Sequence, residues 1–301
     1  ALAGKKAYGF DISPSAYFIS SAKAGVPDVK ECNKIISRLE QYIKNKDVDR
    51  DYLLKIKKFG LNKKLYEYYN ENTFNEILLA RNYFQHNYPQ TTNEMLVISA
   101  LLHILHGNRP YALSRRSHPI VPYAPQGDYI YKNLVEKLRE KVNRSLAQGL
   151  TDNFVESEIY LKDCTEVWPQ EINNLDAVIT SPPFFDSTRF YNANWIRLWF
   201  SGWESEDFIS KPNLFIDEKQ KKDFLVYESI FRQARERLKP GGVLVLHLGK
   251  SKKCNMAEKL IEISKKWFDV VDRFDENVVH CESHGIRDKG AVTSHQYLVL
   301  G

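Results

Sequence analysis

Four successive residues, Ser181, Pro182, Pro183 and Phe184, have side chains suited to holding a planar amine. They follow a short apolar run at 177–179, which predicts a β-strand that ends in a rigid turn. Two prolines fix φ and remove two backbone donors, while the nearby carbonyl oxygens keep their lone pairs. A hydroxyl and these carbonyls can accept from an NH2 group, and an aromatic ring can stack on a heterocycle. The segment therefore predicts a site that binds the exocyclic amine of a planar heterocycle.

This tetrapeptide resembles the catalytic motif of the DNA amino-methyltransferases, in which Ser, Asn or Asp precedes Pro-Pro and an aromatic residue. Those enzymes transfer a methyl group from S-adenosylmethionine to N4 of cytosine or N6 of adenine. The form with Ser resembles the cytosine-N4 group more closely. An ordinary surface turn is the alternative for a Pro-Pro-Phe sequence. The preceding strand, and a following segment at 189–200 that resembles the helix after the family's motif, favour the methyltransferase interpretation.

Two acidic residues match cofactor positions of the same family. Asp11 ends a short apolar strand within 9–18, a segment that resembles the family's second strand, where an acid accepts from ribose hydroxyls. Ile12 beside it belongs to the same expected cofactor-binding segment. Asp163 follows the expected third strand, where the resemblance implies a bond to the adenine amine, with the backbone N–H of Cys164 directed at adenine N1. The alternatives are that Asp11 caps the next helix and that Asp163 is a solvated loop acid.

Arginines alternate with an aromatic residue in the segment 107–118. Arg109, Arg115 and Arg116 surround Tyr111, and basic side chains among aromatics suit phosphate contact and base stacking. Arg189, just after the tetrapeptide, is a further expected nucleic-acid contact. A solvated loop between helices is the alternative for 107–118. The formal net charge of +5 agrees with an anionic polymer such as DNA as partner, although it is too small to establish one.

The cysteines and histidines predict no metal site. The four cysteines are widely spaced without a Cys-x-x-Cys pair, which is typical of reduced thiols in a cytoplasmic protein. His280, Cys281 and His284 form a weak zinc candidate, because no second pair of ligands has matching spacing. No apolar run approaches the ~18 residues of a membrane span, and no signal peptide is recognisable, so no membrane partner is expected.

The surrounding elements predict an α/β fold with an inserted helical domain. Residues 1–24 predict a strand and a helix, 25–150 show helical periodicity with little β signal, and 151–301 return to an α/β pattern. Strands are expected at 158–161, 177–180, 243–247, 269–274 and 295–300. Helices are expected at 29–44, 49–58, 73–85, 93–105, 130–147, 194–200, 222–238 and 255–267.

Many methyltransferases share a turn like Leu238-Lys-Pro-Gly-Gly242 before their fifth strand. The resemblance therefore implies a Rossmann-like methyltransferase core, formed by 1–24 and 151–301, in which 25–150 is inserted as a candidate DNA-recognition domain. Such a core should begin with a strand and a Phe-x-Gly-x-Gly loop, whose backbone N–H groups bind the methionine part of the cofactor.

That glycine loop is missing from this sequence. The chain has 14 glycines, and no two of them are separated by a single residue. Residues 1–7 resemble the end of a first helix, so the chain is expected to begin just after the missing motif. Three explanations stay open: a second polypeptide supplies the first strand and the loop, the chain is a fragment of a longer protein, or it is a degenerate relative. A split or truncated enzyme is favoured, because Ser181, Asp11 and Asp163 are all present.

The expected function is a methyltransferase that uses S-adenosylmethionine to modify cytosine N4 in DNA, with a target base flipped out of the duplex. Ser181 and the Pro182 carbonyl would accept the two N–H bonds of the amine, and Phe184 would stack on the base. Methylation of adenine N6, or of an RNA base, is the alternative reaction. A non-catalytic DNA-binding subunit is the alternative from another class. A restriction nuclease is a further partner that the resemblance implies.

Overall fold

The computed structural model describes residues 1–107, 109–116, 124–147, 149–185, 189–278 and 292–301. These residues form a mixed α/β fold, which confirms the predicted class at this level. They divide into two compact units. The first unit comprises Ala1–Leu161 with Tyr191–Ile209, and the second comprises Lys162–Phe190 with Ser210–Gly301. The three predicted domains at 1–24, 25–150 and 151–301 stay a prediction.

The first unit combines two short strands with most of the helices. β1 (Tyr8–Asp11) pairs in parallel with β2 (Glu158–Leu161), so that Asp11 lies opposite Leu161 at the carboxyl end of both strands. The helices that follow β1 are α1 (Pro14–Ala24), α2 (Val29–Asn45), α3 (Arg50–Ile56), α4 (Glu71–His86), α5 (Thr92–Ile104), α6 (Leu134–Leu146), α7 (Phe190–Ala193), α8 (Trp195–Phe200) and α9 (Asp207–Ser210). The first residue of α7 and the last residue of α9 belong to the second unit. None of the helices within the described ranges is both long and apolar enough to cross a membrane.

Caps and apolar stripes explain the helices of the first unit. The Ser13 hydroxyl accepts from the backbone N–H of Ala16 at the start of α1, and Thr91 and Glu94 form a reciprocal capping box at the start of α5. On α2 a single stripe is buried, at the three- and four-residue spacing of an amphipathic helix. The stripe consists of Cys32, Ile35, Ile36 and Leu39. Because α1, α2 and α6 all pack against the largely buried α5, the core of this unit lies around α5.

A buried arginine fixes the segment that contains α8. Arg81, on α4, is 1% exposed and donates from Nε to the carbonyl of Trp199 at 2.8 Å. Its other guanidinium nitrogens bind the hydroxyl of Tyr52, the carbonyl of Trp203 and the carboxylate of Glu204. The guanidinium also lies 5.0 Å from the ring of Trp199. The aromatic-rich segment after the tetrapeptide is therefore attached to α4 by charge, hydrogen bonds and packing together.

The second unit is built on a sheet whose strand order is β3-β4-β6-β5. Its strands are β3 (Leu175–Thr180), β4 (Leu238–Ser251), β5 (Val270–Asn277) and β6 (Val292–Leu300). Its longer helices are α10 (Ile216–Lys222), α11 (Glu228–Arg237) and α12 (Met256–Ser264). β3 pairs in parallel with β4, whereas β6 is antiparallel to both β4 and β5.

One face of this sheet is buried and the other is partly open. Leu244, Leu246 and Leu248 on β4 are at most 1% exposed, and α11 and α12 pack against β4. Alternate residues of a strand point to opposite faces, so His247 lies on the other face of β4. Tyr297 of β6 lies directly opposite His247. The sheet therefore presents a histidine and a tyrosine together on its half-exposed face.

Two local predictions are wrong. The segment 238–242 follows α11 as expected, but it forms the first part of β4 instead of a separate turn. Leu238 pairs with Leu175, and the register shifts before the pairing resumes at Ala177. Gly241 has φ of +76°, a left-handed conformation that glycine adopts without strain. Residues 1–7, expected to end a helix, contain a turn and no helix.

Candidate functional site

The predicted tetrapeptide lies directly after the carboxyl end of the parallel strand β3. Ser181 is exposed, Pro182 is buried, and Pro183 is half-buried. The Pro183 carbonyl accepts from Nε2 of Gln220 at 2.8 Å, and the Gln220 side-chain oxygen accepts from the Tyr227 hydroxyl at 2.8 Å. Both Gln220 and Tyr227 are almost fully buried. The turn is thus anchored from the interior, while Ser181 stays accessible.

Ser181 belongs to a row of hydrogen-bonding side chains that the sequence did not predict. Its Oγ lies 3.1 Å from Nδ1 of His247 on β4. Nε2 of His247 lies 2.8 Å from Nδ1 of His295 on β6. Both histidines are half-buried. We call these three residues the Ser-His-His row.

Phe184 packs against the same histidines. Its ring meets His247 edge-on at 5.2 Å and His295 edge-on at 5.4 Å, measured between ring centroids. The ring also covers Gly249, since a Cβ atom on Gly249 would lie 2.6 Å from Cγ of Phe184. On the other side of the row, the Tyr297 ring stacks on His247 at 4.8 Å. The position of Phe184 beside Ser181 therefore depends on the absence of a side chain at residue 249.

The surroundings of His247 favour its neutral form. Burial lowers the pKa of His247, and the nearby His295 lowers it further, while Glu276 acts in the opposite direction. A neutral imidazole has one N–H donor and one acceptor nitrogen. His247 can therefore accept from Ser181 and donate to His295, or the reverse. In the first arrangement the lone pairs of Ser181 Oγ face outward and can accept from an amine.

Asp11 and Ile12 lie in the first unit, at the end of β1. The Asp11 carboxylate accepts from the backbone N–H of Ser13 at 2.8 Å. Burial raises the pKa of Asp11, against the effect of the Ser13 and Ile12 amides. The cap of α1 is Ser13, so the alternative role of Asp11 as helix cap does not apply. A carboxylate has about four acceptor sites, which leaves capacity for ribose hydroxyls.

Asp163 and Cys164 lie in the second unit and are tied to their own neighbours. Asp163 forms an ion pair with Lys219 and accepts from the backbone N–H and the hydroxyl of Thr165, at 2.9 and 2.7 Å. Burial alone would raise the pKa of Asp163, but Lys219 and Thr165 together hold it below its usual value. The Cys164 carbonyl accepts from Nε1 of Trp168 at 2.8 Å. Both proposed adenine contacts therefore stay predictions, and Asp163 would have to share its carboxylate with Lys219.

Tyr111 lies within a group of basic side chains in the first unit. Its hydroxyl is 3.1 Å from Nε2 of His103, and the Arg144 guanidinium lies 4.9 Å from its ring. Partial burial lowers the pKa of His103, and the surrounding cations lower it further. These cations are Lys141, Arg197, Arg109 and Arg144. We call His103, Tyr111 and these four residues the His103 cluster. Arg109 and Tyr111 in this cluster were predicted from the sequence, whereas its other three cations were not.

The other predicted nucleic-acid residues have different surroundings. Arg115 donates to the carbonyls of Gly127 and Glu67, and its guanidinium stacks on Tyr129 at 3.9 Å. The exposed Arg116 forms an isolated β-bridge with Gln126. Arg189 forms an ion pair with Glu218 at 3.0 Å. Arg115 thus holds its own loop together, which weakens its expected part in phosphate binding.

The weak zinc candidate His280, Cys281 and His284 falls within 279–291, outside the described residues. Among the residues that the structure does describe, no group of three histidine, cysteine or acidic side chains is arranged to hold a metal ion.

Comparison with known proteins yields a weak similarity of fold. No protein family model matches the chain, and no curated protein matches it. Among solved structures, the fold is similar to that of the N-methyltransferase NodS from Bradyrhizobium japonicum WM9, with 10% sequence identity and a TM-score of 0.29. The similarity covers 55% of this chain and 67% of the NodS chain. The function of this chain therefore has to be argued from its own residues.

Proposed function

We propose that this chain is the catalytic and DNA-binding part of a methyltransferase that modifies cytosine N4 with S-adenosylmethionine. The observation that supports the proposal most is the position of Ser181. It is exposed at the carboxyl end of a parallel strand, where α/β proteins commonly bind ligands. The adjoining prolines are anchored from the interior through Gln220, and Phe184 is held beside Ser181. Such a rigid acceptor next to an aromatic ring suits a planar amine.

The chemistry of the amine explains why acceptors are needed. The lone pair of an exocyclic amine on cytosine is delocalised into the ring, so the nitrogen is a poor nucleophile. Ser181 Oγ and the Pro182 carbonyl would accept its two N–H bonds, which allows the nitrogen to become pyramidal and localises the lone pair. Bound S-adenosylmethionine supplies the methyl group as an electrophile. The protein's contribution is then mainly positioning and charge placement.

The residues of the chain fit part of that cofactor. Asp11 combines a half-buried carboxylate with acceptor capacity for ribose hydroxyls, at the carboxyl end of β1. The methionine end would need backbone N–H groups in a glycine loop, and the sequence has no Gly-x-Gly segment. We therefore include in the proposal a strand and a Phe-x-Gly-x-Gly loop that come either from a second polypeptide or from a further part of a longer protein.

The His103 cluster supports nucleic acid as the substrate. Two of its members, Lys141 and Arg144, lie on the same helix α6, and the Tyr111 ring beside them offers a flat surface. Cations near a phosphate chain supply most of the sequence-independent affinity for DNA. A base in a duplex would have to be flipped out to reach Ser181, and Phe184 would then contact its ring.

Ser181→Ala tests the proposal directly. With the glycine-loop polypeptide and DNA present, we expect the variant to bind DNA normally and to transfer labelled methyl groups about 10²- to 10³-fold more slowly. Ser229→Ala is a matched control, because its half-buried hydroxyl makes a long bond of 3.4 Å to the Val226 carbonyl, away from the tetrapeptide. Unchanged turnover in Ser181→Ala would disprove the assignment.

A non-catalytic DNA-binding subunit is the second candidate. The ion pair between Asp163 and Lys219 favours it, because it occupies a carboxylate that the enzyme would use for adenine. Such a subunit would bind DNA with a steep salt dependence but would not transfer methyl groups, even beside the glycine-loop polypeptide. Identification of the methylated base separates cytosine N4 from the alternatives, adenine N6 and an RNA base.

A further inference from the structure

We propose that the Ser-His-His row is a proton relay in which His247 and His295 position Ser181 as an acceptor and then receive the proton that the amine loses. This inference rests on the proposed methyl transfer. It assigns functions to two residues, His247 and His295, that neither the tetrapeptide nor the cofactor segments contain.

The distances allow one continuous chain of hydrogen bonds, and the relay requires one of its two directions. In that direction the Ser181 hydroxyl donates across 3.1 Å to Nδ1 of His247. A neutral His247 then has its hydrogen on Nε2, which donates across 2.8 Å to Nδ1 of His295. Because the hydroxyl hydrogen of Ser181 is then bonded to His247, the lone pairs of Ser181 Oγ are directed to the substrate side. The Ser-His-His row thereby orients Ser181 Oγ to accept a hydrogen bond from the substrate amine.

The same row can remove a proton. When the amine nitrogen forms its bond to the methyl carbon, the carbon–sulfur bond breaks and that electron pair stays on sulfur. The nitrogen now has four substituents and a positive charge, so it must lose one proton. That proton passes to Ser181 Oγ, while the hydroxyl proton of Ser181 passes to Nδ1 of His247. At the same time the Nε2 proton of His247 passes to Nδ1 of His295. His295 becomes an imidazolium and releases its Nε2 proton to water, and no oxidation or reduction occurs.

Packing holds His247 in the orientation that the relay needs. Tyr297 stacks on one side of its ring, and Phe184 meets it edge-on. Among the described residues, the titratable groups that face His247 are His295 and Tyr297 on β6 and Glu276 on β5, whose carboxylate accepts from the Tyr297 hydroxyl at 3.3 Å. Glu276 lies opposite His295 in the sheet register. Its negative charge would stabilise the imidazolium that forms on the row.

The first test is the tautomer of His247, measured by ¹⁵N NMR near pH 7 in the full chain. The relay predicts hydrogen on Nε2 and a bare Nδ1, and Ser181→Ala should weaken that preference. The relay would be overturned if the hydrogen of His247 were on Nδ1. It would also be overturned if the tautomer populations of His247 were the same in Ser181→Ala as in the wild type. This measurement does not need methyl transfer, so it separates the relay from the reaction.

The second test is the pH dependence of methyl transfer. A protonated His247 cannot accept from Ser181, so wild-type turnover should fall as the pH drops through the pKa of His247, which lies below the ordinary 6.5. His247→Ala should lower turnover about 10²-fold. His247→Asn, whose amide oxygen can accept from Ser181, should recover part of that loss and remove the acidic limb. His86→Ala is a control, because His86 is an exposed histidine on α4.

The outcomes distinguish the two proposals. Methyl transfer that is unaffected by His247→Ala would leave the proposed function standing and remove the relay. A wild-type chain that transfers no methyl group beside the glycine-loop polypeptide would remove both the proposed function and the role of the row in it. Equal activity of His247→Asn and His247→Ala, with the acidic limb unchanged in both, would show that His247 contributes packing alone.

Discussion

At the scale of single residues, Phe184 packs closely against Gly249 in the candidate site. We expect Gly249→Ala to displace the Phe184 side chain, because the new Cβ would lie 2.6 to 2.9 Å from its Cγ, Cδ2 and Cβ atoms. Overpacking of this kind costs about 1–3 kcal/mol of unfolding free energy. Methyl transfer should fall more than stability alone explains, because the ring also lies beside Ser181. Thermal unfolding and turnover measured on the same preparations check this.

A matched control separates the site effect from general strain. Gly25→Ala places a Cβ 2.5 Å from Cγ2 of Thr92, in the first unit. It should destabilise the chain without selectively affecting turnover. The double variant Gly249→Ala with Phe184→Ala should lose less stability than the sum of the two single variants, since the overlap with Cγ and Cδ2 of Phe184 is removed. Additive losses in the double variant would contradict the contact.

Residue-level prediction from sequence is possible where the candidate chemistry is local. Ser181 to Phe184 could be found because strand, turn and aromatic ring follow one another along the chain. His247 and His295 could not be found, since 48 residues separate them and only the antiparallel register of β4 and β6 brings their rings together. Alternation within β6 shows that His295 and Tyr297 share a face, but it does not reveal the neighbouring strand.

At the scale of elements, the attachment of α8 to α4 depends on Arg81. Removing this buried guanidinium takes away the bonds that it donates to the Glu204 carboxylate and to the carbonyls of Trp199 and Trp203. Arg81→Ala should therefore destabilise the first unit by about 3–5 kcal/mol. Arg232→Ala, which removes an exposed i,i+4 pair with Glu236, should cost less than about 1 kcal/mol. Chemical denaturation of the three proteins measures both values, and equal costs would contradict the network.

The helix α6 is the element that we expect to contact DNA. Lys141→Ala and Arg144→Ala should each weaken DNA binding and reduce the slope of log affinity against log salt by about 1. Lys44→Ala, on α2, removes an exposed lysine that pairs with Glu40 and should leave the slope unchanged. Binding titrations at several salt concentrations provide the measurement. Unchanged slopes in both α6 variants would argue against phosphate contact at the His103 cluster.

Element prediction was most accurate where the periodicity was strong. The helix at 29–44 agrees closely with α2, because a buried stripe defines it. The strand at 158–161 coincides with β2. The helix expected at 130–147 is shorter, since Asn133 caps α6 and fixes its start. β4 extends well beyond the expected 243–247, because pairing with β3 and β6 continues the strand past the apolar run.

At the scale of the whole molecule, the two edges of the second unit's sheet differ in chemistry. β5 carries charged residues along its length, which discourage pairing with another strand. Those residues are Asp272, Arg273, Asp275 and Glu276. β3 is apolar from Ala177 to Ile179, and Ile179 is 76% exposed, although parallel strands are usually covered on both faces. The composition of β3 is therefore typical of a strand with a further neighbour.

This difference gives the proposed second polypeptide a testable position. In a complex with a polypeptide that carries the Phe-x-Gly-x-Gly segment, we expect slower amide hydrogen exchange along β3 and no change along β5. A new parallel strand at the β3 edge would pair with backbone groups that, among the described residues, bond no strand other than β4. Ile179→Asp should weaken the complex, whereas Phe274→Asp, at a 52% exposed position of β5, should not. Protection that is equal at both edges, or a complex that tolerates Ile179→Asp, would place the partner elsewhere.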